Sequence, residues 1–366
     1  MSMRKNGTIE LLRLIFSVII VIFHSQAAFG EINMGNDFSL CFNGRFCVEF
    51  FFLISGALMA RHVDMKAKEG SLGHDTFVFM KRKYLGVFPY MLFCFLVGTV
   101  AHFLMNPMNF SDGFFTVLES MPDLFMVSMS GVPANTVIVS YTWYLSAMML
   151  AMLKLYPFLR KNYDAFTYIA APLITLLSLG YLTKTTGGIT DAWHWTGFAY
   201  KGLLRALGEI SLGCICYRAA KWISSSVRTR SSSVLYTALE VASYATVITF
   251  MSAKESDAHI VYLLPVMAVA VTLTLSGRGV VTDFINRKIP VKYLGEFSLC
   301  IYVCQTLPQR ILEEYFITLS PGIKIIAHVV FTCIYALVCC LVVHNIRKYL
   351  KFRKSNKESL KNSLGA

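Results

Sequence analysis

Three ionisable side chains, Glu10, Arg13 and His24, interrupt an apolar run that opens Ile9-Glu10-Leu11-Leu12-Arg13 and ends Ile22-Phe23-His24. On a helix turning about 100° per residue, Arg13 and His24 fall within about 20° of one line, and Glu10 lies about 40° from it. Ser17 shares that line, so one face of an Ile/Val/Phe helix is polar from end to end. A charge facing lipid costs at least a few kcal/mol, so the stripe must face protein or water. Histidine is the side chain best suited to take a proton from a hydroxyl near neutral pH. Arg13 lies about 16 Å away along the helix axis, too far to touch His24. It suits an anionic group or an i,i+3 pair with Glu10.

The elements around this helix are apolar too. The chain has 366 residues, 55% of them hydrophobic and only 15% charged, with a mean hydropathy of +0.56. That excludes an ordinary soluble domain and predicts an all-α integral membrane protein. Ten stretches are long enough to cross or nearly cross a bilayer. They are residues 9–29, 46–61, 84–106, 139–159, 165–183, 200–219, 234–252, 259–276, 293–312 and 322–346. Residues 110–130, with Asp112, Glu119 and Asp123 among phenylalanines, read instead as a re-entrant or interfacial segment. The organisation is one membrane domain, residues 1–346, followed by a basic tail, residues 347–366.

The formal charge of +13 follows topology rather than nucleic acid. With the N-terminus placed in the cytoplasm, inner segments hold 25 of the 34 Lys and Arg, from Arg4 and Lys5 to the tail, and outer segments hold six. This asymmetry predicts ten spans with both termini cytoplasmic, the basic surplus meeting anionic lipid. The first apolar run lacks a small-residue cleavage site and contains an arginine, so it reads as a retained span. The ten cysteines show no CxxC pair and read as small buried hydrophobes, save that Cys41 and Cys47 beside the first outer loop offer a disulfide. The histidines have no metal-ligand spacing, and no metal is expected. Trp193 and Trp195 read as an interfacial aromatic belt.

Further motifs follow in order. Val48-Glu49-Phe50-Phe51-Phe52-Leu53-Ile54-Ser55-Gly56 places an acid and a Ser-Gly step on the second span. Lys81-Arg82-Lys83-Tyr84-Leu85-Gly86-Val87-Phe88-Pro89 is a basic segment ending in proline, then come Trp143-Tyr144-Leu145 with Tyr156-Pro157, and Leu294-Gly295-Glu296-Phe297-Ser298-Leu299-Cys300-Ile301-Tyr302. Together with the acidic-x-x-Arg opening and the Arg-x10-His spacing, this ordered set resembles the membrane acyltransferase-3 family in its short, stand-alone form. Two positions depart from the family pattern. Gly86 stands where relatives often have arginine, and Gln305 where they often have histidine.

The resemblance implies an O-acyltransferase of the bacterial inner membrane. It would move an acetyl or other acyl group from cytoplasmic acetyl-CoA (or another acyl-CoA) to a hydroxyl of an envelope glycan or lipid-linked sugar. On that reading His24 is the general base, with Arg13 and Glu10 beside it. Lys81, Arg82 and Arg61 meet the donor, and Glu49, Ser55 and Trp143 line the substrate site. From the residues alone, Glu49 also reads as a lip residue and Ser55-Gly56 as a small-residue helix contact. Arg205, four residues before Glu209, reads as an intrahelical pair. Ten spans with intramembrane charges also describe a transporter or flippase that moves a glycan without acyl transfer.

Overall fold

Hydrophobic periodicity organises the chain into helices, and the computed structural model describes residues 6–66, 70–135, 137–227, 229–254, 257–288 and 293–364, with side chains through Arg353 except Asp257 and Ala258. Arg4, Lys5, Lys68, Arg228 and Lys292, counted above toward the inner charge, lie outside the described residues. The helices are α1 (Gly7–Phe29), α2 (Cys47–Met65), α3 (Leu72–Met105), α4 (Phe110–Leu124) and α5 (Trp143–Lys161). There follow α6 (Tyr163–Thr186), α7 (Lys201–Ser225), α8 (Arg230–Ser252), α9 (Leu263–Ser276) and α10 (Val280–Lys288). The last three are α11 (Leu294–Cys304), α12 (Thr306–Tyr315) and α13 (Pro321–Leu364).

Among the described residues, six helices (α1, α2, α3, α6, α8 and α13) are long and apolar enough to cross a membrane, or seven if α9 and α10, bent by 55°, count as one span. Each of the ten predicted stretches falls on helix. α5 and α7 are not among the helices apolar enough to qualify, and the stretch 293–312 is broken at Gln305 into α11 and α12. The segment 110–130 is not a span: α4 exposes Phe110, Phe114, Phe115 and Leu118 on an amphipathic helix.

α2 is the central helix, with Phe46 at its start and Phe50, Phe52, Leu53, Ile54 and Met59 along it fully buried. It packs most extensively on α7, and glycines make that crossing close. A Cβ on Gly56 would stand 2.0 Å from the Ile210 carbonyl oxygen, and one on Gly213 2.2 Å from that of Leu53. Small residues at a crossing let helices approach where lipid offers no hydrophobic drive to hold them together. Gly56 is therefore the helix contact that its Ser-Gly step suggested.

α1 lies against α11 and α13, capped by the Asn6 side chain, which accepts from the Thr8 and Ile9 amides at 3.1 and 3.3 Å. Cys41 and Cys47 are free thiols, not a disulfide; the Cys47 sulfur turns instead to that of Met251, 3.6 Å away. Thiols do gather where α3, α11 and α13 meet. The sulfurs of Cys94, Cys304 and Cys339 lie within 4.8 Å of one another, beside a Cys300–Cys340 contact of 2.7 Å. Residues so far apart in the chain give no spacing signal for this cluster.

Candidate active site

The polar stripe of α1 faces protein along its length, and its main partner is α11. Near the N-terminal end of α1 the Glu10 carboxylate presses on Gly295, where a Cβ would come within 2.1 Å of Oε2, and Glu10 pairs with Arg13 at 3.5 Å. Ser17 donates to the Ser298 carbonyl at 3.1 Å. His24 Nδ1 lies 2.7 Å from Oε1 of Gln305, the residue after α11. A glycine, a serine carbonyl and an amide thus meet Glu10, Ser17 and His24, while Arg13 pairs with Glu10.

His24, near the C-terminal end of α1, opens into a cavity of about 490 Å³, named the outer cavity for the side the sequence expects. Arg45, Ser140, Tyr141, Trp143, Asp191 and Trp193 also line it. The Tyr141 ring is stacked on the imidazole, centroids 3.7 Å apart and planes 15° from parallel. Tyr141 has φ +66°, a conformation rare outside glycine. Such a residue persists only where its surroundings hold it, often at functional sites. Here its hydroxyl donates to Gln309 Oε1 at 2.9 Å and its carbonyl accepts from the Tyr302 hydroxyl. Trp193, expected in an interfacial belt, lines this cavity instead.

A smaller cavity of about 140 Å³, the inner cavity on the same expectation, holds Arg13, Ser55, Lys83, Tyr144 and Ser298. Tyr302 lines both cavities. The Ser55 hydroxyl is engaged with Tyr144 Oη at 3.2 Å and Met148 at 3.2 Å, which orients it as a wall residue.

The remaining sequence candidates are dispersed. Trp143 is in the outer cavity. Glu49 is fully buried and salt-bridged to Arg205, which also bonds Glu209 at 3.2 Å. Arg205 reaches the Thr190 carbonyl at 3.0 Å, and its guanidinium lies 5.4 Å from the Trp143 ring centroid. Glu49 therefore acts on the outer cavity through Arg205, supporting Trp143 and the loop before α7. Lys81 and Arg82 are exposed on α3, and it is Lys83 that enters the inner cavity. Arg61 lines a separate cavity of about 190 Å³ near the N-terminal end of α1, with Glu10 and Lys221.

Some contributors were not singled out in the sequence, Tyr141 among them. Lys83 was one of a basic run, and its helical phase one turn before Val87, also in the cavity wall, could have singled it out. Gln305 stood out only as a departure. His328, fully buried on α13, donates Nε2–H to the Gln305 carbonyl at 2.9 Å.

Residues 6–345 match the family model of acyltransferase-3, described as an acyltransferase domain. No curated protein and no solved structure matches the chain.

Proposed function

Because the chain belongs to the acyltransferase-3 family, and is thus a multi-pass membrane acyltransferase, we propose that it transfers an acetyl or other acyl group from cytoplasmic acyl-CoA to a hydroxyl of an envelope glycan or lipid-linked sugar. The observation that carries this reading is the pair of cavities meeting at Tyr302, one with cations and the other with an imidazole. In this reading the chain crosses a bacterial inner membrane ten times with both termini in the cytoplasm. His24, in the outer half of α1, then faces the acceptor side, and Arg13 and Lys83 face the donor side.

Anionic donor groups suit Arg13, Lys83 and the exposed Lys81 and Arg82, with Arg61 at the inner end of α2. The acyl-thioester end of the donor passes Arg13 toward Tyr302. A sugar hydroxyl enters the outer cavity, where Trp143, Trp193 and Tyr141 offer aromatic faces and Arg45 and Asp191 polar contacts. His24 takes the hydroxyl proton as its oxygen attacks the thioester carbonyl. The C–S bond breaks, the thiolate of CoA leaves, and the proton on His24 is released to it or to water. Neither Glu49 nor Ser55 is asked to react.

The test compares envelope glycans of a null strain complemented with wild type or His24→Ala, by mass spectrometry. Acyl-sized mass steps present with wild type and absent with the variant, at equal protein levels, support the proposal. Full acylation by His24→Ala removes the general base. Identical glycans in all three strains, with unmodified glycan exported only when the protein is present, replace transfer with transport.

A further inference from the structure

We infer that Gln305 holds His24 in a single tautomer, with its proton on Nδ1 and the Nε2 lone pair free for the outer cavity. The inference deepens the acyl-transfer reading and rests on it for its catalytic consequence. Its physical basis is independent of the reaction.

The amide orientation of Gln305 is determined by its neighbours. Its Nε2 lies 2.8 Å from the Tyr302 carbonyl oxygen, which can only accept. Reversing the amide would set two oxygens against each other with no proton between them, inside the protein where neither finds water. Oε1 therefore faces His24, at 2.7 Å from Nδ1. Oε1 is also only an acceptor, so Nδ1 must carry the hydrogen. A neutral imidazole with its proton on Nδ1 has its lone pair on Nε2.

The backbone of Gln305 is fixed in turn. It occupies the break between α11 and α12, and its carbonyl accepts from His328 Nε2–H at 2.9 Å. The other ring nitrogen of His328 lies 2.6 Å from the Ser25 hydroxyl, whose single proton also faces the Val21 carbonyl at 2.6 Å. Ser25 follows His24 in α1, so the series His24, Gln305, His328, Ser25 begins and ends on adjacent residues of one helix. The Tyr302 and Gln305 carbonyls, which can only accept, assign the Gln305 amide and the His328 Nε2–H. Protonation and deprotonation of His24 then occur at Nε2 alone, and the Nδ1–H bond to Gln305 persists through both states. Gln305 is a positioning residue in this scheme.

The experiment uses the full chain, labelled with ¹⁵N-histidine and reconstituted in lipid, with the His24 resonances assigned by their loss in His24→Ala. Nitrogen shifts and couplings separate the two tautomers. Wild type is expected to show Nδ1–H at His24, and Gln305→Leu to shift the signal to Nε2–H. Acyl transfer by Gln305→Leu should fall at least about tenfold in kcat, the scale of a general base lost, with acceptor KM little changed. Gln305→Glu keeps an acceptor at the same reach and should restore the Nδ1–H form. It also serves where Gln305→Leu does not fold. An Nε2–H signal in wild type overturns the assignment, as does an Nδ1–H signal that survives in Gln305→Leu. A tautomer switch in a protein that transfers no acyl group upholds the Gln305 assignment and refutes the acyl-transfer reading instead.

Discussion

The Tyr302 hydroxyl donates to the backbone carbonyl of Tyr141, the residue whose ring is stacked on His24. One side chain thus does two things: it ties the left-handed Tyr141 to α11, and it forms part of the wall of both cavities. The tie places Tyr141 against the imidazole from one side while Gln305, three residues beyond Tyr302, holds it from another.

These two roles separate by substitution. Tyr302→Phe keeps the shared wall and loses one hydrogen bond, worth about 1 kcal/mol; acyl transfer should fall several-fold and the membrane stay tight. Tyr302→Ala should join the cavities. Proteoliposomes loaded with a pH-sensitive dye should then dissipate a proton gradient that wild type and Tyr302→Phe sustain. A tight Tyr302→Ala vesicle would show that another group closes the passage.

Among the three adjacent cations of α3, the donor-side burden should fall on one. Lys83 lines the inner cavity with Arg13, whereas Lys81 and Arg82 are exposed. Lys83→Gln is expected to raise the KM for acyl-CoA about tenfold, and Lys81→Gln by less than about threefold, since surface charges are screened by salt. Steady-state kinetics in 0.15 M salt decide it. Equal effects of the two would place the donor on the outside of α3.

How far the site was legible in the sequence depends on distance along the chain. The stripe of Glu10, Arg13, Ser17 and His24 was readable because its period is that of a helix and its residue types are costly in lipid. That the segment from Leu294 to Tyr302 receives it was not, because Gly295 and Ser298, though part of a motif, give no sign of which helix they face. The Arg205–Glu209 pair lies within one helical turn and was legible; the Glu49–Arg205 bridge joins residues 156 apart and was not. Trp193 was assigned to an aromatic belt because an outer-loop tryptophan has the same composition whether it faces a headgroup or a cavity. Gln305 showed only as an unexpected residue, since neither its helix break nor its histidine partner has a local signature.

The buried triad should be the least tolerant polar feature. Arg205 stands between Glu49 and Glu209, and all three side chains are shielded from solvent. Arg205→Met leaves two carboxylates buried without their cation, a change that costs about 3–5 kcal/mol. The expected result is loss of folded protein in detergent, read by size-exclusion profile and thermal unfolding. The triple change Arg205→Met, Glu49→Gln, Glu209→Gln removes the charges together and should recover much of the folded yield. Failure of the triple variant to recover any would mean that the shape of the guanidinium, wedged under Trp143, matters more than its charge.

The glycine crossing of α2 and α7 positions that triad, because Glu49 lies on α2 and Arg205 on α7. Gly56→Ala would drive a methyl to 2.0 Å from the Ile210 oxygen, and Gly213→Ala one to 2.2 Å from the Leu53 oxygen. Both obstructions are backbone, so no side chain can swing away and the helices must part. Overpacking of this kind costs about 1–3 kcal/mol, and it should also stretch the Glu49–Arg205 bridge two turns away. Each variant is therefore expected to lower the Tm in detergent, and the double variant to cost less than the sum, because the first separation already makes room for the second methyl. Gly180→Ala on α6 is the control, with nothing within 4 Å of the added carbon. Alanine's higher helix propensity predicts an unchanged or slightly raised Tm there. A Gly56→Ala protein as stable as wild type would mean that α2 and α7 do not cross as closely as their backbones are placed.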